Sequence, residues 1–216
     1  MTRWPPDAAP RLQQAAFDLY TKRGYDQTTV AEIAACAGLT ERTFFRHFAD
    51  KREVLFDGGD RFRAALVDAV DGAPPSTTTL EAITAGIEAA GSVFPALELV
   101  RRRQALILAN PELHERELKK LASIASSLGE ALSRRGVPTS AAELAAETGV
   151  TLLRMALKHW IEDPAARPWK IHVRAAIDEL LWLTAETSAG QATRPQHRPR
   201  TGNSPISLAP EDHRVR

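Results

Sequence analysis

The stretch TTVAEIAACAGLTERTFFRHFADK, residues 28–51, is the part of this chain that determines how the rest is interpreted. Thr29 precedes Glu32 by three residues, the capping-box spacing in which a hydroxyl and a carboxylate satisfy the free amides of a helix start. Val30, Ile33, Ala34 and Ala37 then recur on one face of a short helix. Gly38 is placed to end it, because glycine readily takes the left-handed conformation that helix C-termini use. Leu39 turns inward. Thr40 can cap a second short helix with Phe44 inside and Glu41, Arg42, Thr43, Phe45 and His47 on or near its outer face. Ala34 and Gly38 leave room for the two helices to approach closely. Cys36 lies within this unit and is expected to pack there as a small apolar residue.

Two short helices around a tight turn make a helix-turn-helix, whose second helix enters the major groove of DNA. Asp50 and Glu53 form another capping pair. Lys51 sits in the first turn of the segment they open, where a cation beside free backbone amides suits a phosphate. Upstream, Leu12, Ala15, Ala16, Leu19 and Tyr20 recur at helical spacing and Gly24 ends that helix. Residues 11–56 therefore read as a compact helical DNA-binding head, preceded by a flexible N-terminus, 1–10.

The run AAFDLYTKRGYDQTTVAEIAACAGLTERTFFRHFADKREVL, from Ala15 to Leu55, closely resembles the N-terminal domain of the TetR (tetracycline-repressor) family. The resemblance implies a transcriptional regulator. Its usual form is a homodimeric repressor released from a palindromic operator by a small-molecule ligand. It also implies that Thr29, Thr40, Phe45 and Lys51 contact the DNA backbone. Phe45 stands where many members carry tyrosine, so the phenolic hydroxyl and its phosphate hydrogen bond are missing. Arg42 and His47 can donate to base edges or phosphates. Thr43 can offer its methyl to thymine or its hydroxyl to a phosphate, and Glu41 can accept from cytosine or serve as a helix-start charge. Arg46 is open between a phosphate contact and an intramolecular salt bridge.

Composition is consistent with this. A chain of 216 residues with 44% hydrophobic and 25% charged content can bury a sizeable core. The net charge of +1 excludes a generic polyanion binder, so DNA affinity must come from local charge placement and from dimerisation. The single cysteine rules out an internal disulfide framework and fits a reducing cytoplasm. No apolar run is long enough to span a membrane, and MTRWPPDAAP lacks a hydrophobic signal segment, so a cytoplasmic location is expected. Neither a Gly-rich phosphate loop nor a nucleophile elbow nor a paired-acid motif is present. His114, His159 and His172 lack metal-type spacing. No enzymatic activity, cofactor or metal is expected.

Beyond the head, helix follows helix through a regulatory and dimerisation body, residues 57–187. The fold class is all-α, with about nine helices in total. A fourth helix is predicted from about Lys51 to Val70, with Leu55, Phe62, Leu66 and Val70 on its apolar side. Gly58 and Gly59 would lie inside it at about 1 kcal/mol each relative to alanine, marking either a close packing point or a flexible joint. After a break at Asp71 to Thr77, Thr78 and Glu81 cap a helix carrying Leu80, Ile83 and Ile87, interrupted at Gly91 and Pro95. Glu98 to Ala109 follows. Asn110 and Pro111 then begin a long helix to about Arg135, with a stripe of Leu118, Leu121, Ala125, Leu128 and Leu132. Ser140 and Glu143 box the start of a helix reaching about Glu162, and a last one runs from about Pro168 to Thr187.

Those last two helices are apolar on more than one face. Leu144, Thr151, Leu152 and Met155 form one stripe of the first; Leu153, Ala156, Leu157 and Trp160 form another. In the second, Val173, Ile177, Leu180 and Leu181 are joined by Ile171, Trp182 and Leu183. A helix apolar on two faces needs two partners. The resemblance implies that the second partner is another copy of the chain, and Leu153, Leu157, Trp160, Ile171 and Trp182 are the candidate interface. Two heads would then face half-sites about 34–36 Å apart or a multiple of this. A monomeric bundle burying both faces is the alternative.

Arg103 lies on the apolar side of its helix with Leu99, Leu106 and Ile107. A charge there needs a partner, either an inner carboxylate or an anionic ligand group. Phe94, Leu97, Gln104 and Ile107 are candidates to line a cavity between the middle helices for a small hydrophobic or amphipathic effector; a filled core would use the same residues. Phe44–Phe45–Arg46 and the segment ANPELHERE, residues 109–117, resemble a subset of regulators that includes mycofactocin-associated ones, which brings acyl-coenzyme A ligands into consideration. The segment 188–216 is rich in Pro, Ser, Thr, Gly and Arg and reads as a disordered tail. Arg194, Arg198, Arg200, Arg214 and Arg216 outnumber Glu211 and Asp212, so it is either solvated or a non-specific DNA contact. A constitutive DNA-binding protein without an inducer remains the alternative function.

Overall fold

A computed structural model describes residues 7–192, with side-chain surroundings as far as residue 185. Its helices are α1 (Ala8–Arg23), α2 (Val30–Cys36), α3 (Glu41–His47), α4 (Gly59–Asp71), α5 (Thr79–Ala90), α6 (Leu97–Ala109), α7 (Pro111–Arg134), α8 (Thr139–Glu162) and α9 (Trp169–Ala192). Short 3₁₀ turns occupy Glu53–Phe56 and Gly91–Val93. Among the described residues there is no strand, so the expected all-α fold holds. No single helix among them is long and apolar enough to cross a membrane. One compact unit ends at Leu180 and a second begins at Leu181.

Two hydrophobic cores organise the first unit. The head core gathers Leu12, Ala16 and Tyr20 of α1, Ile33 of α2, Phe44 of α3, and Val54 and Phe56 of the 3₁₀ turn. Ile107 and Leu113, from the end of α6 and the start of α7, join it. The body core gathers Leu66, Val70, Ile83, Ile87, Leu128, Leu132, Leu153, Trp160, Trp169 and Val173 from α4, α5, α7, α8 and α9. Burying each such large side chain contributes roughly 1.5–3 kcal/mol, so head and body are each held mainly by apolar packing.

The local signals work as the sequence predicts at several helix ends. Thr29 with Glu32, and Thr78 with Glu81, form complete capping boxes at α2 and α5. Gly24 (φ 87°) follows α1, and Gly38 (φ 65°) supplies the turn between α2 and α3. Pro111 occupies the first turn of α7.

Four expectations are corrected. The helix predicted from Lys51 to Val70 is broken: after the 3₁₀ turn, Gly58 adopts φ 83° and α4 starts only at Gly59. The glycines therefore mark the break between the 3₁₀ turn and α4, which the left-handed Gly58 permits, and do not lie inside a continuous helix. The box predicted at Ser140 and Glu143 does not form. α8 starts two residues earlier than such a box requires, at Thr139 with Pro138 as its cap residue, because the fixed proline φ already presets the entry. Leu118, assigned to the apolar stripe of α7, is exposed, and burial on that helix runs instead through Leu113, Ile124, Leu128 and Leu132. The N-terminus is not open to residue 10, since α1 begins at Ala8, whose side chain is buried. The Arg-rich segment from Arg194 onward lies outside the described residues, whereas the chain up to Ala192 is helical.

The body core is filled around its aromatic residues. Phe94 stacks against Phe62, Trp160 and Trp169 at ring-centroid distances of 5.3, 5.3 and 5.1 Å. The Trp169 indole donates to the Ile87 carbonyl at 2.9 Å, and its ring lies against Gly91, where a methyl group would overlap it.

Candidate nucleic-acid interface

The outer surface of the head is set by how α3 is held. Thr40 caps it by accepting from the Thr43 amide at 3.2 Å, and the two threonine hydroxyls lie 3.1 Å apart. Phe44 is fully buried and Phe48 nearly so. At about 100° per residue, Arg42 and Arg46 then fall opposite Phe44, flanked by Thr43 and Phe45. Glu41, Arg42, Phe45, Arg46 and His47 are all exposed and Thr43 is half-buried. An Arg46 guanidinium nitrogen lies 3.2 Å from His47 Nε2. The face is cationic at its centre, with an exposed aromatic ring on one side.

The approach of α2 to α3 is fastened by contacts that the sequence pattern does not reveal. Arg11 of α1 donates to the Ala37 carbonyl at the end of α2. Leu39 returns its amide to Ala34 at 2.8 Å. Thr28, buried, donates its hydroxyl to the Gly24 carbonyl at 2.8 Å and so orders the loop that delivers the Thr29 cap. Thr29 is exposed, with its hydroxyl and amide both directed to Glu32. Salt-linked Arg23 and Thr29 together hold Glu32 below the usual carboxylate range, with the Thr29 hydrogen bonds the larger cause.

Lys51, expected on a phosphate, is used internally. Its ammonium donates to the carbonyls of Tyr25 (2.9 Å), Thr28 (3.1 Å) and Asp26 (3.4 Å) and lies over the Tyr25 ring. An ammonium has three protons to donate, and the folded loop accepts all three. Tyr20 donates its hydroxyl to the Lys51 carbonyl at 2.7 Å. Burial pushes the Tyr25 hydroxyl up to about 12, so it stays neutral beside this cation. Cys36, expected inside the head, is exposed, because Ile33, Ala34 and Ala37 supply the buried face of that segment.

Head and body meet through a charged junction. Glu53, in the 3₁₀ turn, accepts from Arg116 at 2.5 Å and Lys120 at 3.1 Å, both on α7. Burial alone would raise the Glu53 carboxyl, but these two cations outweigh it and hold it below its ordinary range. Arg103 donates to the Leu55 carbonyl at 2.8 Å, lies over the Phe56 ring and pairs with Glu117 at 3.4 Å. Glu117 is the inner carboxylate that Arg103 meets.

The remaining candidate ligand residues pack in different parts of the chain. Phe94 belongs to the packed aromatic cluster, Leu97 packs against the body core, and Ile107 is fully buried in the head core. Gln104 donates to Glu117 at 3.4 Å, while its carbonyl oxygen is buried without a partner. A groove of about 1130 Å³ between α7 and α8 and a cleft of about 340 Å³ at the head–body junction are lined by other residues. Of the candidate dimer residues, Leu153 and Trp160 are buried in the chain's own core and Leu157 is partly buried against it. Ile171 and Trp182 are exposed, and so are Leu144, Thr151 and Met155 of the other α8 stripe.

Residues 12–57, the span of this head, match the family described as "Bacterial regulatory proteins, tetR family". Over 157 residues the chain is 25% identical to the Mycobacterium tuberculosis protein MftR, whose name attributes to it the regulation of mycofactocin biosynthesis; the match covers 70% of this chain and 79% of MftR. It is 34% identical over 79 residues to the HTH-type transcriptional regulator TcmR of Streptomyces glaucescens, covering 37% of this chain and 35% of TcmR. In fold it is similar to NalD of Pseudomonas aeruginosa, the secondary repressor of the MexAB-OprM multidrug efflux pump. That similarity has a TM-score of 0.56 at 16% identity and covers 80% of this chain and 94% of NalD.

Proposed function

The chain belongs to the tetR family of bacterial regulatory proteins, and from that premise we propose that it is a homodimeric repressor that grips a palindromic operator and is released by a small hydrophobic or amphipathic effector. One observation carries the DNA-binding part: the outer face of α3 presents Arg42 and Arg46 opposite the buried Phe44, on a helix capped by Thr40. In this reading Arg42 and His47 reach base edges in the major groove and Thr43 meets a thymine methyl or a phosphate. Arg46, Thr29 and Thr40 hold phosphates, and Glu41 sits at the helix start or accepts from cytosine. The protein acts in the cytoplasm and has no catalytic role.

A single copy of this head, on a chain of net charge +1, has little electrostatic affinity to draw on. Dimerisation supplies the rest. Leu144, Thr148, Thr151 and Met155 recur at helical spacing along α8; Leu144, Thr151 and Met155 are exposed, as is Ile171 on α9. This stripe, rather than Leu153 and Trp160, is the face that a second copy covers.

Release by an effector is supported by the junction, where Glu53 of the head is clasped by Arg116 and Lys120 of α7. A ligand that binds better to a body in which this clasp is shifted draws the heads off DNA, by no more than its difference in affinity for the two states. The packed aromatic cluster of Phe62, Phe94, Trp160 and Trp169 favours a second reading, a constitutive repressor with a filled body.

Selection of bound sequences from random duplexes by the purified protein tests the proposal. A recovered palindrome supports it, and the absence of any enriched sequence at moderate salt overturns it.

A further inference from the structure

Among the described residues of the head, Phe45 is the large apolar side chain that remains exposed, at 55%. The other aromatic residues of its neighbourhood, Phe44, Phe48, Tyr20 and Tyr25, are all buried. Its position is constrained on three sides. Phe44 meets it edge-on with ring centroids 5.5 Å apart, which limits how far the ring can fold back toward the core. Arg42 lies one turn behind it and Arg46 directly after it, and both are exposed. An exposed phenylalanine between two arginines gains nothing from water, and it has no donor or acceptor with which to engage a phosphate.

We propose that Phe45 is a specificity-determining residue that reads the 5-methyl group of one thymine in each half-site. The inference rests on the DNA-reading role of α3 proposed above and extends it to a particular base. Arg46 brings the ring to the groove wall by attraction to phosphates, Arg42 enters the groove beside it, and the ring then meets base edges. In the major groove the thymine methyl is the apolar group on a base edge, and it is the feature that a phenylalanine can distinguish. The ring gains less at a cytosine, guanine or adenine edge, none of which carries that methyl. An alternative use of the ring, packing on deoxyribose, would strengthen binding to every sequence alike.

The test replaces each thymine of the selected duplex in turn with deoxyuridine, which pairs identically and lacks only the methyl. One thymine per half-site is expected at which the change weakens wild-type binding about fourfold, the scale of one buried methyl group. Phe45→Ala is expected to bind the methylated and unmethylated duplexes equally at that position, while Phe45→Leu retains part of the difference. Because the side chain is exposed, unfolding midpoints of the variants are expected to match wild type, and this is checked alongside. A selected duplex bound with no dependence on any thymine methyl overturns the role of Phe45 and leaves the DNA-reading proposal standing. A dependence that survives in Phe45→Ala does the same. Failure to select any sequence overturns both.

Discussion

The Lys51 ammonium stands 4.2 Å from the centre of the Tyr25 ring while donating to the Tyr25 carbonyl at 2.9 Å, so one side chain grips both the face and the backbone of the other. With Thr28 and Asp26 as further acceptors, the cation ties the start of the 3₁₀-turn segment to the loop between α1 and α2. Lys51→Met keeps the aliphatic stem and removes these bonds. It is expected to destabilise the head by about 2–3 kcal/mol, the cost of leaving partly buried carbonyls without their charged donor. Urea unfolding measures that loss. The salt dependence of DNA binding is expected to keep its slope. A slope reduced by about 0.9 per head would identify a phosphate contact instead.

Glu53 gives the junction a pH signature. Its folded value lies below the ordinary glutamate value of 4.5 because of Arg116 and Lys120. A carboxylate depressed on folding contributes stability in full above the unfolded value, and that contribution is lost as pH falls through the folded one. Wild-type stability is therefore expected to drop below about pH 4.5, and Glu53→Gln is expected to show a shallower fall across the same window. Near pH 7 the substitution should cost roughly 1–2 kcal/mol, between the values for exposed and buried pairs. Thermal unfolding across a pH series checks both. Identical acid profiles in the two proteins would place the titration elsewhere.

The contrast between these two residues shows what can be read from the chain alone. Signals that act over three or four residues were legible: the boxes at Thr29–Glu32 and Thr78–Glu81, and the left-handed Gly38. Lys51 and Glu53 also sit at recognisable helix-start positions, but their partners lie 23 to 67 positions away in the chain, and no local pattern encodes that distance. The same applies to α8, where two apolar stripes are evident and only packing against α5, α6 and α7 determines which one is core. Arg103 was legible as a charge needing a partner; that the partner is Glu117 and the Leu55 carbonyl was not. Of the head, the exposed face of α3 was legible because burial of Phe44 places the rest of a seven-residue helix by geometry.

The two stripes of α8 separate experimentally. Leu153 is 4% exposed in the body core, so Leu153→Ala is expected to cost about 2–5 kcal/mol of unfolding free energy. Leu144 is 71% exposed. Leu144→Glu combined with Met155→Glu is expected to leave the monomer fold intact and to convert the dimer to monomer in sedimentation velocity, with weakened operator binding. A double variant that stays dimeric would move the interface to another face.

Gly91 tests the filled body. A methyl group there overlaps the Trp169 ring, which is itself held by the Ile87 carbonyl. Gly91→Ala is expected to destabilise the protein by about 1–3 kcal/mol through overpacking and to raise tryptophan exposure to a fluorescence quencher. If stability is unchanged, the aromatic cluster has room to yield, and an effector could open it at little cost.

Arg42 and Arg46 share the outermost face of α3, four residues apart, yet different roles are expected of them. Arg42 lies in the first turn of the helix, the end that enters the groove in helix-turn-helix proteins, whereas Arg46 lies in the last turn beside His47. Arg42→Ala is expected to cost about 1–3 kcal/mol at the preferred site and much less at sites altered at the base it reads, so base preference relaxes at that one position. Arg46→Ala is expected to weaken all sequences by a similar factor and to lower the salt slope by about 0.9 per head. Binding measured on the selected duplex and its single-position variants at two salt concentrations separates the two outcomes. A uniform loss in both variants would assign Arg42 to a phosphate and leave base reading to Thr43, Phe45 and His47.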